Sequence, residues 1–288
     1  MHRASPRPGR RSCTNGTRGG RRVVESAGHL NPGDPEVAFS RFRLGADLDD
    51  LVRHVWVARW DVPAGEVRTQ RVLTYPSANA VLQPAGATLH GPSRVLTTQD
   101  LTGRSWVVGV LLRPAGARLL TTTEPARLVG RWEPLPGAPL PAVAAATGRP
   151  AGAPAAAADR DVAALLHTWL APVAARVDDA GRLANAACRV AEERADVRRV
   201  SDLADLLGTT TRTLSRVVRR HTGLTPKWLI ECRRLQAAAT TLHADPAADL
   251  AALAADLGYA DQAHFTRRYR AVVGETPART RRHAPAPA

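Results

Sequence analysis

Lysine is nearly missing from this chain: Lys227 stands alone beside 39 arginines. With so much alanine, glycine and proline around them, those arginines read in part as a GC-rich coding bias. The net charge of +14 is therefore weak evidence by itself. Cysteine is scarce too. Cys13, Cys188 and Cys232 are far apart, odd in number and not in any Cys-x-x-Cys pair. That excludes a disulfide framework and a zinc site, and it fits a reducing cytosol. No window approaches the ~18 uninterrupted apolar residues of a membrane span. The stretch Met1–Arg22 is basic but lacks an apolar core and a cleavage pattern, so it does not read as a secretory signal.

What is present is unevenly distributed. Residues 1–22 carry seven arginines and no acid, and residues 193–288 carry 16 basic against 10 acidic side chains. The middle of the chain is nearly neutral. A basic segment joined to a neutral one suggests a nucleic-acid module beside something else. The 288 residues suffice for about two domains. Residues 1–35, rich in Arg, Gly, Ser and Pro, read as a disordered basic tail.

Residues 36–132 read as a β-rich sensor or regulatory domain. Short apolar runs at Val55–Trp60, Val72–Tyr75, Ala80–Leu82 and Trp106–Leu112 alternate with Pro/Gly turns. That pattern predicts a small antiparallel sandwich or barrel. A helix is expected ahead of it around Asp47–Val55, and a short helical turn after it at Pro114–Leu120. Residues 133–192 read as an Ala/Pro-rich linker followed by connecting helices. The first of these carries Val162, Leu165, Leu166, Trp169, Leu170 and Val173 at helical spacing, with Asp159 or Asp161 as its cap. The second spans Gly181–Ala195.

The sharpest signal is an internal repeat in residues 193–283. Leu203-Ala204-Asp205-Leu206-Leu207-Gly208 is answered 50 residues later by Leu253-Ala254-Ala255-Asp256-Leu257-Gly258. Leu214-Ser215-Arg216 is answered 51 residues later by Phe265-Thr266-Arg267, so the second turn holds one extra residue. Each copy, at about 200–221 and 250–271, reads as helix, tight turn, helix. Ala204 and Ala254 are small enough for a close helix crossing. Gly208 and Gly258 stand where a helix ends. Thr210 and Asp261 can cap the following helix, although Thr209 and Thr211 compete in the first copy. Leu214, Val217, Phe265 and Tyr269 form its buried face.

This leaves a polar face on each second helix: Arg212, Thr213, Ser215, Arg216 and Arg219 in the first, and Gln262, His264, Thr266, Arg267 and Arg268 in the second. Such side chains bond base edges and phosphates; Arg takes guanine and Gln takes adenine. One such face alone favours function only modestly over an ordinary solvated surface. Two in the same order favour DNA. Pro226–Leu242 reads as a single helix between them, roughly 25 Å long at 1.5 Å per residue. It is stiff enough to hold two recognition helices about one DNA turn apart.

Residues about 195–283 resemble the DNA-binding domain of AraC/XylS-type regulators. The likeness lies in Arg216 through Pro226, in Arg233-Arg234-Leu235-Gln236-Ala237-Ala238, in Leu257 through Arg267 and in Gly274-Glu275-Thr276-Pro277. Val218 departs from it, standing where an aromatic is usual. The resemblance implies a seven-helix module with DNA contacts at Arg212, Ser215, Arg216, Gln262, Thr266 and Arg267. Leu51–Trp60 and Val72–Asn79 are similar, less specifically, to the sensor-like domain of one branch, for which a cupin-like β-fold is expected. The overall expectation is an α+β chain: a cupin-like antiparallel β-domain, a helical linker and an all-α double helix-turn-helix domain.

Nothing suggests an enzyme or a cofactor. His54, Asp61, His90 and Asp100 are scattered, without metal-ligand spacing, and neither a phosphate loop nor Gly-x-Ser-x-Gly occurs. Cys13 alone does not supply the clustered cysteines that a methyl-accepting repair protein needs. The reading is a cytoplasmic, sequence-specific transcription regulator. Its expected partners are double-stranded DNA and RNA polymerase, with a small-molecule effector and a homodimer as further possibilities and no membrane. A constitutive architectural binder is the rival.

Overall fold

A computed structural model describes residues 37–72, 75–95, 97–148 and 155–282. The basic tail expected at residues 1–35 lies outside them. Eight strands are described: β1 (Val37–Phe42), β2 (Val52–Asp61), β3 (Arg68–Val72), β4 (Asn79–Gln83), β5 (Gly86–His90), β6 (Thr97–Leu101), β7 (Arg104–Leu112) and β8 (Trp132–Pro134). Six form one antiparallel sheet in the order β1-β2-β7-β4-β5-β8, and β3 pairs with β6.

Alternation along the strands sorts the side chains onto two faces. Val55, Val57, Ala80, Leu82, Leu89, Val108, Val110 and Leu112 face a core closed by α3 (Leu140–Thr147) and α4 (Ala155–Ala174), through Val143, Val162, Leu166 and Leu170. Antiparallel partners share a face, so register defines the opposite one. His54, Leu111, Asn79, His90 and Trp132 form one row across it, and Trp56, Gly109, Val81 and Thr88 the next. Trp56 lies over Gly109: a Cβ there would fall 2.0 Å from the indole. Phe39 stacks beside it with ring centroids 6.1 Å apart.

Three sequence expectations are corrected here. Asp47–Val55 is not a helix: a 3-10 turn at Ala46–Leu48 gives way to β2, because pairing with β1 and β7 overrides local propensity. Asp159 does not cap α4; it is 5% exposed inside that helix, 3.0 Å from Arg59 of β2. Residues 133–158 are not wholly linker, since β8 extends the sheet and α3 closes its core. Val143 and Ala146 of α3 are buried in that core, and Pro141 lies in the first turn, where its missing N–H costs nothing.

The first of the connecting helices, α4, therefore belongs to the β-domain, and α5 (Asp179–Glu193) faces both ways. Ala187, Cys188 and Ala191 of α5 are part of a second core. From the same helix, Asn185 accepts from Ala115 N at 3.0 Å and donates to Asp50 O at 2.7 Å, and Glu192 holds Arg53 of β2 in a bidentate pair. Among the described residues no helix is long and apolar enough to cross a membrane, and no group of three or more potential ligands could hold a metal.

Two predictions follow from this packing. Gly109→Ala lifts Trp56 off the sheet and is expected to cost about 1–3 kcal/mol in denaturant unfolding. Combined with Trp56→Ala, it should cost less than the two single losses added together. Burial, then Arg41, Arg53, Arg43 and Arg113, lowers the His54 pKa from 6.5 to about 3, so folding keeps this ring neutral. The unfolded chain takes up the proton first. Stability is therefore complete above about pH 6.5 and falls below it, by up to ~1.4 kcal/mol per unit for one such residue. His54→Gln should flatten that acid limb in pH-dependent thermal unfolding.

Candidate nucleic-acid interface

The remaining helices are α1 (Ala117–Leu120), α2 (Pro125–Leu128), α6 (Val200–Leu206), α7 (Thr211–Thr222), α8 (Pro226–Ala244), α9 (Leu250–Asp256), α10 (Gln262–Val273) and α11 (Pro277–Arg282). The repeat falls on α6–α7 and α9–α10. In each copy a glycine turns the chain with positive φ, 59° at Gly208 and 72° at Gly258. The alanine four residues before it is 1% exposed, and its carbonyl accepts the N–H of the residue after the glycine.

Caps then start the second helices. Thr210 Oγ1 accepts from Thr213 N at 3.1 Å, and Asp261 Oδ1 accepts from His264 N at 2.6 Å. At the start of α6 the Asp202 carboxylate takes the N–H groups of Arg198 and Arg199, which hold its pKa below the usual range. Leu214, Val218, Phe265 and Tyr269 are fully buried. Val218, despite departing from the family's aromatic, packs in the core of the first unit.

Opposite these anchors, Arg212, Arg216 and Arg219 on α7 and Gln262 and Arg267 on α10 are exposed; Thr213, Ser215 and Thr266 are half-buried beside them. None of the four arginines has a carboxylate partner among the described residues. Gln262, Ala263, Thr266 and Arg267 line an open surface hollow.

Two other expected residues are placed differently. Arg268 turns back onto α8, where its Nε and Nη2 meet the two Glu231 oxygens at 2.5 Å. Its ordinary pKa is raised by that bond. The His264 ring meets Tyr259 edge-on with centroids 5.3 Å apart. The charge on Arg268 is thus spent inside the domain, and the partly buried His264 ring packs on Tyr259.

Sequence reasoning missed the share of α5 in the first unit and the role of Glu231. The pairing of Glu231 with Arg268, 37 residues on, has no local periodicity that would announce it. It also missed the seat of α7 on the β-domain. Gly223, the left-handed C-cap of α7, lies so close to α2 that a Cβ would come within 2.7 Å of Ala126 Cα, and Val129 packs against the core of the first unit. His221, 4% exposed at this junction, has its pKa lowered by burial, then by Arg118 of α1.

Two helix-turn-helix units on one connecting helix, each with a polar outer face, define a DNA-binding domain. The family described as a helix-turn-helix domain matches residues 203–283, and one described as a domain of unknown function (DUF6597) matches residues 41–132. The chain thus carries a helix-turn-helix domain at residues 203–283. No relative is found among curated proteins.

Among solved structures, the chain is similar to an AraC-type transcriptional regulator of Chromobacterium violaceum at 23% identity, over 37% of this chain and 96% of that one, with a TM-score of 0.33. It is similar to the C-terminal domain of AraT, a response regulator from Geobacillus stearothermophilus, at 20% identity, over 36% and 88%, with a TM-score of 0.32. It is also similar to ToxT of Vibrio cholerae at 9% identity, over 86% and 98%, with a TM-score of 0.37.

The caps give a direct test. Thr210→Ala and Asp261→Ala should each lower the stability of the C-terminal domain by about 1 kcal/mol. Thermal unfolding checks this, and Asp261→Asn should retain most of the stability.

Proposed function

We propose that this regulator reads a two-part DNA site, with α7 and α10 entering successive major grooves on one side of the duplex. The observation that carries the reading is the repeated pair of capped helices. In both copies an acidic side chain caps a helix, Asp202 in the first and Asp249 and Asp261 in the second, while arginines on the outer face have no carboxylate partner among the described residues. Nineteen residues of α8 span roughly 28 Å at 1.5 Å each, close to the ~34 Å repeat of B-DNA. Arg212, Ser215, Arg216 and Arg219 on α7 and Gln262, Thr266 and Arg267 on α10 are the proposed contacts. His264 and Arg268 are assigned secondary roles, through packing and positioning.

The β-domain is proposed to regulate that binding by taking a small ligand or a protein partner. Its sheet face opposite the helices supports a ligand. His54 Nδ1 and Asn79 Oδ1 lie in one row of that face, both buried and without a hydrogen-bond partner among the described residues. Buried polar atoms left unpaired cost about 1–3 kcal/mol each, which a hydrogen-bonding ligand would offset. RNA polymerase and a second copy of the chain are further proposed partners, in the cytoplasm where the DNA lies.

Selection of bound fragments from genomic DNA, followed by footprinting, tests the reading. Protection is expected over about two major-groove turns on one face of the duplex. Arg216→Ala and Arg267→Ala should each cost about 1–3 kcal/mol at separate base pairs of the selected site. Affinity should fall steeply with salt. Protection confined to half a turn would sink the two-helix reading.

A further inference from the structure

The connecting helix serves two cores that do not merge. Trp228, Leu229, Ile230 and Cys232, near the start of α8, are buried with α5, α6 and α7. Leu235, Ala238, Ala239 and Leu242, towards its end, are buried with α9 and α10. Apolar packing therefore fixes each unit to its own half of α8. Such packing leaves some freedom in how α10 leans along the helix, because dispersion contacts are non-directional.

A polar contact crosses the seam. Glu231 lies on the first half of α8, among residues of the first core, yet its carboxylate grips Arg268 of α10 through both oxygens. Its side chain is 15% exposed and that of Arg268 40% exposed. One turn further along α8, the Arg234 guanidinium lies 4.5 Å over the ring of Tyr259, which belongs to the turn just before α10. A two-point fork between planar groups fixes rotation as well as distance. The preceding residue on α10, Arg267, is exposed on the outer face.

We infer that the Glu231–Arg268 fork, backed by Arg234 on Tyr259, sets the angle of the second recognition helix to α8, and through it the half-site spacing that the regulator accepts. Glu231 and Arg268 are then positioning residues: they shape DNA recognition without touching a base. This rests on the two-part site proposed above. The fork restricts α10 to one pose, so that binding by the first unit presents the second at the right separation. Loosening it lowers the effective concentration of α10 at its own half-site.

The test uses the full chain and fluorescent duplexes bearing the selected site, with the distance between its halves changed by one and two base pairs either way. Fluorescence anisotropy gives the affinity at each spacing. The parent should show one sharp optimum. Glu231→Gln and Arg268→Gln should each lose on the order of tenfold at that optimum, and little elsewhere, so that the profile flattens. The charge-exchanged double variant, Glu231→Arg with Arg268→Glu, should recover most of the optimum.

A Glu231→Gln profile identical to the parent's would overturn the inference. So would an Arg268→Gln loss at every spacing with Glu231→Gln unaffected, which would make Arg268 a direct DNA contact. An equal loss at all spacings in both variants, with a lowered unfolding midpoint, would reduce the fork to a stabilising contact. A parent with no spacing optimum would overturn the two-part reading itself; a sharp parental optimum left unmoved by the variants would overturn only the fork.

Discussion

One helix shared by two hydrophobic cores is the constraint on which the DNA-binding half depends. α8 is buried by the first unit over Trp228–Cys232 and by the second over Leu235–Leu242. Neither unit can leave it without exposing leucines. Each second helix uses its apolar stripe to reach this framework, and what remains outward is polar by necessity. The acids complete the logic. Asp202, Asp249 and Asp261 take helix N–H groups, Asp196 meets Arg194, Glu231 meets Arg268, and Glu275 is buried against Thr280. The charge of these acids is thus consumed by the framework, while Arg212, Arg216, Arg219 and Arg267 are left on the outer faces. A local excess of arginine says more here than the net charge of the chain.

The β-domain is joined to this half by directional contacts. Asn185 satisfies two backbone groups of the β-domain at once, and Glu192 takes both arms of Arg53. Such contacts tolerate little displacement, because a stranded amide or carboxylate costs more than a lost apolar contact of equal size. Arg53 is also held at 4.6 Å over the Tyr75 ring. That ties β2, Tyr75 just ahead of β4, and α5 into one assembly. The junction therefore specifies an orientation, where a greasy contact would supply adhesion alone.

Much of this was legible in the residues, and the exceptions share a cause. The repeat, its glycines, the caps at Thr210 and Asp261 and the buried stripe from Leu214 to Tyr269 follow from chemistry within a few residues of each position. Strands β2, β4 and β7 announce themselves through apolar runs. Failures came wherever the deciding partner lies far along the chain. Val52–Val55 is strand because β7 pairs with it. Asp159 is buried because Arg59 waits 100 residues earlier. Alanine-rich residues 140–147 read as linker because alanine carries so little apolar signal, although beneath Val143 they close a core. Arg268 looked like its neighbour Arg267, and only the fold separates a cation pointing at solvent from one pointing at Glu231.

The two units also differ in a way that their sequence symmetry conceals. The core of the second is assembled from residues of α8 onward alone. The core of the first borrows α5 and is joined by Val129 of the β-domain, and the C-cap of α7 rests on α2 at Gly223. A displacement of the β-domain thus reaches α7 by direct contact, at a position where no side chain can be inserted. The same displacement reaches α10 only by way of α8. Communication between the halves of the chain is therefore built unequally. The β-domain rests directly against α7, whereas α10 is joined to α7 through α8.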